Sequence, residues 1–286
     1  MHANIKQRIE SVISNLEQLP SIPEVASKII SMVNNPDISF KKVAEEISKD
    51  QAMTANILKL CNSAFFSKGK EITSIEKAIV TIGLKEVKDI VIVLVTKPVL
   101  EKPIIGYDLG KGDLWLQGLV VATLSKKIAL NKKRKDIADV VFTGGLIHNV
   151  GKVVLALFVQ NTYKDIIELV EKNNITFNEG EKEIMGFDHH QVGERILDKW
   201  KFPPVLKSIV RYYSEPENAP VEHRYDVSIV HIANVISLMA GIGLGSDGLY
   251  HRFNNEALKS VGIREGELED FYSGMPELIS EIKDLI

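Results

Sequence analysis

The apolar residues of this chain recur at intervals of three and four, the period of one face of an α-helix, and this spacing constrains the fold more than any other feature. Ile5, Ile9, Val12, Ile13 and Leu16 form one such stripe. Leu19-Pro20-Ser21-Ile22-Pro23 interrupts it, and Pro23 opens a second helix at the first position, where a missing N–H costs nothing. Val25, Ile29, Ile30 and Val33 make the buried face of that helix before Asn34-Asn35-Pro36 ends it. Ser39 is placed to cap a third helix carrying Val43, Ala44 and Ile47, and residues 52–66 continue the pattern through Ile57, Leu58 and Cys61. Ser74 is a natural N-cap for residues 75–82, and Gly83 stops that helix. The run Ile90-Val91-Ile92-Val93-Leu94-Val95 is rich in β-branched residues, yet no neighbouring segment alternates with period two to pair with it, so residues 84–100 are read as helix.

Pro and Gly gather between residues 101 and 112, which marks a lobe boundary. Beyond it Leu116, Val120, Leu124 and Ile128 give residues 113–130 an amphipathic face, and further helices are predicted over 136–147, 163–172, 188–200, 203–213, 227–240 and 275–286. The expected architecture is all-α: an N-terminal helical module over 1–105 packed against a second helical lobe over 106–286, whose tail from Glu256 adds appended helices. No repeat of fixed period is present. A chain of 286 residues buries a sizeable core without staples. Cys61 is its only cysteine, so no internal disulfide can form; it reads as a small core residue in a protein of a reducing compartment. A formal charge of −3 argues against general nucleic-acid binding. The first 19 residues lack the apolar segment of a signal peptide, and the run 90–95 is far short of the roughly 20 residues that span a bilayer. The expectation is a cytoplasmic protein with no membrane association.

The chemistry-bearing residues are few. Gly145-Leu146-Ile147-His148-Asn149-Val150-Gly151-Lys152 sets a histidine beside an asparagine between a glycine pair and an apolar run. A catalytic metal needs several converging imidazole and carboxylate ligands, neutral donors balanced by anionic ones. Apart from His2 and His223, which read as terminus and loop, the candidates are His148, His189, His190, His231 and His251.

At these residues the chain resembles the HDOD domains, the HD-related output domains of bacterial signalling proteins. The likeness rests on Leu19-Pro20-Ser21-Ile22-Pro23, Asp50, Asn62-Ser63-Ala64-Phe65, the segment from Ile72 to Gly83-Leu84, Gly145-Leu146-Ile147-His148, and Asp188-His189 through Val192-Gly193 to Trp200 and Pro203. It covers residues 15–240, taken as one unit. The resemblance implies an all-helical fold descended from metal-dependent HD phosphohydrolases. By the order of motifs, Gln117 stands where the parent pattern has its first His, and His148-Asn149 replaces the His-Asp pair. His189 fits a downstream His, Tyr212-Tyr213 stand where a His pair is common, and Asn234 takes the place of the final Asp. Both aspartates have become asparagines, so the charges that would offset a divalent cation are gone. Without a tightly held metal nothing lowers the pKa of an attacking water.

The resemblance therefore implies a non-catalytic signalling module acting through other signalling proteins or a bound regulator, with no cofactor and no metal expected. A divergent phosphohydrolase holding a metal on His148 and His189 is the alternative, as is a small nucleotide or other anion bound in the relic cleft. His148 reads as a helix-end histidine hydrogen-bonded in the core or as a ligand. His189 reads as orienting the helix that Asp188 caps, and His190 as exposed on another face. His231 shares a face with Asn234, either as core packing or as part of a site. Lys152 either faces an anion or answers the helix dipole. The basic run Lys132-Lys133-Arg134-Lys135 reads as a solvated loop or a phosphate contact. Asn62-Ser63 reads as a helix stop. Gly241-Ile242-Gly243-Leu244-Gly245 follows a helix rather than a strand, and matches a phosphate loop only weakly.

Overall fold

The structure, a computed structural model, describes residues 28, 32, 38–63, 66, 71–200 and 202–282, with backbone alone at 157, 158, 160 and 161. The stripe over Ile5–Leu16, the helix opened by Pro23 and the Leu19–Pro23 motif lie outside the described residues. Among the described residues the regular elements are helical, with one isolated bridge between Ile104 and Leu109. Contacts divide the chain into two units, Pro20–Val99 with Pro276–Ile286, and Leu100–Met275 with Met1–Leu19.

The described part of the first unit contains α1 (Phe40–Ile47), α2 (Gln51–Cys61), α3 (Ile75–Thr81) and α4 (Leu84–Leu100). Ser39 occupies the N-cap of α1 with extended backbone but makes no side-chain cap bond, contrary to expectation. Asp50 caps α2 by accepting from the Met53 N–H, and Ser74 caps α3 by accepting from that of Lys77. Asn62 ends α2 as predicted: its amide donates to the carbonyls of Leu58 and Ile72 and its Oδ1 accepts from the Ile72 N–H. It thus ties the loop to the helix end with the side-chain bonds that favour asparagine there. Cys61 is fully buried, and burial pushes its thiol up to about 11.

The second unit contains α5 (Asp113–Asn131), α6 (Ala138–Ile147), α7 (Val150–Asn173), α8 (Phe177–Met185), α9 (His189–Lys199), α10 (Pro204–Tyr212), α11 (Arg224–Met239), α12 (Asn255–Val261) and α13 (Glu265–Ser273). The last helix, α14 (Met275–Ile282), groups almost wholly with the first unit, whereas the sequence reading left the entire tail with the second lobe. A single buried face, Met275, Leu278 and Ile282, says that the helix packs but not on what. The helix predicted over 163–172 is the second half of the longer α7, whose apolar run from Val150 leaves no break. The helix α8 was not foreseen; Thr176 and Glu179 close its first turn with a capping box.

Helices α5 and α11 are buried nearly all round, the pattern of core helices rather than surface ones. They pack on each other and on α6, while α7 carries α8 and α9. The stretch Ala138–Ala156 is long and apolar enough by composition to cross a membrane, but 83% of it is buried inside the protein. At the crossing of α7 and α9, a Cβ on Gly151 would lie 1.8 Å from the His189 carbonyl oxygen and 2.8 Å from the Gly193 nitrogen. Only a glycine admits this approach. Replacing Gly151 by Ala is therefore expected to destabilise the protein by about 3 kcal/mol, while Gly266→Ala in α13, where a Cβ meets nothing within 4 Å, is neutral or stabilising by up to ~1 kcal/mol. Thermal denaturation of the two variants checks the contrast; equal melting temperatures would contradict it.

Candidate functional site

The joint between α6 and α7 is where the site begins. His148 closes α6, Asn149 stands at the N-cap of α7, and Lys152 follows within its first turn. Gln117 comes from α5, Asn234 and His231 from α11, and Tyr213 from the C-cap of α10. His189 and His190 open α9 behind the cap Asp188, whose Oδ1 accepts from the Gln191 N–H at 2.8 Å. All of these side chains are buried.

Six helices are joined, along their length or at their caps, by one chain of hydrogen bonds. Gln117 Nε2 donates to Asn234 Oδ1 at 3.1 Å, and Asn149 Nδ2 donates to Gln117 Oε1 at 2.9 Å. The Tyr213 hydroxyl donates to Asn149 Oδ1 at 2.6 Å. A phenol has one proton, so His189 Nε2, 3.2 Å from that hydroxyl, is the donor of the next bond. His189 Nδ1 then faces Glu181 Oε2 at 2.7 Å. Glu181, fully buried, also accepts from the Tyr107 hydroxyl and from the His189 backbone N–H. Burial and the neighbouring Asp188 charge push Glu181 up to about 8, while burial and the Lys152 charge press His189 down to about 3. The pair thus holds its proton on the carboxyl, which donates it to Nδ1, and no net charge is buried there.

The remaining histidines are individually accounted for. His148 Nδ1 donates to the Gly145 carbonyl at 2.6 Å, its ring meets Tyr213 edge-on, and burial lowers its pKa to about 3. Its Nε2 has no hydrogen-bond partner, nor has Asn234 Nδ2, although Asn234 lies near enough to act on the ring. His231 Nδ1 donates to the Tyr213 carbonyl at 2.8 Å and Nε2 accepts from the Asn254 N–H at 3.1 Å, so the ring ties α11 to its neighbours. His190, expected on the surface, is buried: it stands 3.0 Å from Ser214 Oγ and 3.4 Å from Asp188 Oδ2, and burial lowers it to about 4. The first turn of α9 is covered on this side by the segment after α10, which no pattern within α9 announces.

Lys152 does not face an open anion site. Its ammonium lies 2.6 Å from Asp247 Oδ2 and 5.4 Å from the centre of the Tyr107 ring, with both members of the ion pair buried. Burial favours the neutral form of Asp247, but the Lys152 charge beside it holds its pKa below the ordinary value. Tyr212 stays outside the network against Arg211. The basic run is engaged internally, Lys132 with the Gly262 carbonyl and Glu267, Arg134 with Asp136. In the glycine segment 241–245, Gly243 packs against Gln117 and Gly245 against the Tyr107 carbonyl, while Gly241 faces open space. Glu181, Asp247 and Tyr107 were absent from the sequence reading; the capping box that opens α8 was the only local signal near any of them.

Among the described residues no group of three His, Cys, Asp or Glu side chains is arranged to hold a metal ion. The donor set does not fit one. His148 Nε2 is a free lone pair, but His189 Nε2 carries a hydrogen, the positions beside them are amides, and the Lys152 ammonium repels a second cation. Divalent ions are held by several anionic or neutral lone pairs, and one imidazole does not amount to a site.

A family model, the HDOD domain, matches residues 19–216. The chain is 22% identical to an HDOD domain protein of Geobacter sulfurreducens, with a TM-score of 0.81 over 100% of this chain and 99% of that one. It is 18% identical to a Marinobacter aquaeolei protein named provisionally for signal transduction, with a TM-score of 0.77 over 98% of this chain and 64% of that one. It is 22% identical to a Shewanella amazonensis protein named provisionally as a phosphohydrolase, with a TM-score of 0.68 over 96% of this chain and 94% of that one. Among curated proteins it is 23% identical over 225 residues to an uncharacterised protein of Treponema pallidum, matching 79% of this chain and spanning 43% of that relative's length.

Two expectations follow from the buried charges and rings. A histidine with its folded pKa below the ordinary 6.5 stabilises the fold fully above pH 6.5, and that share is lost as pH falls toward 3. Glu181 has the opposite sign: its share is present below the ordinary 4.5 and lost as pH rises through about 8. Below pH 6.5 the unfolding free energy should therefore drop by roughly 1.4 kcal/mol per pH unit for each of His148, His189, His190 and His251, with Glu181 cancelling one share. Urea titrations at neutral pH and near pH 5 read this, and His148→Gln should remove one share of the slope; a flat profile would contradict it. Separately, Lys152→Met should cost about 3–5 kcal/mol by leaving Asp247 unpaired, and adding Asp247→Asn should restore part of the loss. Strictly additive losses in the double variant would show that the pair is not coupled.

Proposed function

Because this chain belongs to the HDOD domain family, we propose that it is a non-catalytic regulatory module of signal transduction. In this reading the centre its hydrolase ancestors used for metal has become a closed hydrogen-bonded core. The observation that carries the proposal is the amide triad. Gln117, Asn149 and Asn234 bond to one another, using the donors and acceptors that a metal site would have turned toward a cation. Tyr213 and His189 continue the chain, and the Lys152–Asp247 pair adds a fixed internal cation that already has its counter-charge. An attacking water has no Lewis acid to lower its pKa in such a core. The module works through contacts with other signalling proteins or through a bound regulator, and its place is the cytoplasm.

A divergent phosphohydrolase is the competing outcome of the test. Protein purified without chelator is expected to contain no stoichiometric manganese, iron or zinc, to show no metal-dependent rise in melting temperature, and to leave bis(p-nitrophenyl) phosphate intact. Stoichiometric metal together with turnover abolished by His148→Ala would overturn the proposal.

A further inference from the structure

Beside the buried network the second unit opens a cleft of about 550 Å³ whose inner surface includes His189, His190, Asp247 and His251. Its volume lies in the range of small-molecule sites. The lining carries five carboxylates, those of Glu179, Glu215, Glu217, Asp247 and Glu256. The lining itself carries two cationic side chains, Lys182 and Arg252; Lys152 and Lys259 reach Asp247 and Glu256 from outside it, and Lys182 is already 3.1 Å from the buried Asp188.

The carboxylates differ in what holds them. Glu256 pairs with Lys259 at 2.6 Å, and Glu179 has Arg252 at 3.8 Å. Glu217 accepts instead from the neutral amide of Asn254 at 2.6 Å. Glu215 accepts from the amides of Asn178 and Asn218 at 2.9 and 3.0 Å, with Lys182 no closer than 3.8 Å. Neutral donors fix these two side chains in place without cancelling their charge. A second, independent observation lies at the floor. Asp247 is buried, and while Oδ2 pairs with Lys152, Oδ1 has no hydrogen-bond partner. Buried carboxylate oxygens are rarely left in that state. His251 adds no opposing charge, since burial lowers its pKa. Tyr250, His251 and Phe253 supply aromatic faces to the wall, of the kind against which an ammonium or guanidinium group packs favourably.

We propose that this cleft binds a small organic cation, an ammonium or guanidinium group on an apolar or aromatic body, with its charge set between Glu215, Glu217 and the unpaired Asp247 Oδ1. The same arrangement disfavours nucleotides and other anions, against the expectation of an anion in the relic cleft. The proposal rests on the reading of the protein as a regulatory module, whose bound regulator it describes by charge and shape.

The test uses the full chain and three ligands of matched shape: phenethylamine, 2-phenylethanol and phenylacetate, titrated by ligand-observed NMR. Saturable binding of the amine, weaker binding of the alcohol and none of the acid is expected. Glu215→Gln and Glu217→Gln keep their amide partners and should each weaken the amine about three- to five-fold. Asp247→Asn should weaken it further, and because that variant disturbs a buried pair, the two rim variants carry the test if it fails to fold. Equal binding of all three ligands, preference for the acid, or no saturable binding of the amine in the millimolar range would each overturn the proposal. Absent binding in protein that is metal-free and inert defeats the ligand assignment alone. Metal-dependent turnover defeats the regulatory reading and leaves amine binding to be judged by the same titration.

Discussion

The chain of hydrogen bonds from Asn234 through Gln117, Asn149, Tyr213 and His189 to Glu181 is the constraint around which the second unit is organised. Buried polar groups cost several kcal/mol apiece when left without partners, so helices that bring these side chains inside must arrive in register with one another. Each donor along the chain fixes the role of the next group. Tyr213 has one proton and gives it to Asn149; His189 must then donate from Nε2, and its Nδ1 needs a proton from elsewhere. Glu181 meets that need only as the neutral acid, the form its burial favours. Connectivity places a proton on Nε2, and the opposite pKa shifts of Glu181 and His189 place the other on the carboxyl.

That connectivity explains why amide side chains suit positions 117, 149 and 234 together. An aspartate accepts and does not donate, and two of them beside His148 and His189 would require a cation between them. Asparagine both donates and accepts, so Asn149 and Asn234 pass a hydrogen bond onward through Gln117 instead of concentrating negative charge. Among the described residues Lys152 is the one Lys or Arg buried in the core, and Asp247 is matched to it. The charge of this interior is thereby fixed by its own paired groups. Acid lability and rigidity are the physical consequences, because imidazoles buried neutral resist protonation until the fold gives way.

Close approach of the backbone makes this arrangement possible. Gly151 lets α7 cross α9 with the first turn of α9 against it, which brings His189 beside Tyr213. Core helices α5 and α11 are buried nearly all round, and the Gln117–Asn234 bond ties the rotation of one to the other.

Much of the fold was legible in the residues alone. Spacing of three and four placed the helices around Val43, Ile57 and Leu116, Ser74 marked a cap, and the absence of period-two neighbours made the β-branched run at 90–95 a helix. These are consequences of local rules, acting within a turn or two of chain. That positions 149 and 234 carry neutral amides rather than acids was equally readable, since it concerns residue type. Tertiary structure alone decided which groups answer them. Glu181 meets Tyr107 across 74 residues of sequence and Asp247 meets Lys152 across 95, His190 is buried by a segment beyond α10, and α14 groups with the first unit. Such pairings depend on how whole helices pack. A carboxylate inside a protein has no local signature, because the energy that admits it belongs to a partner the chain brings from far away.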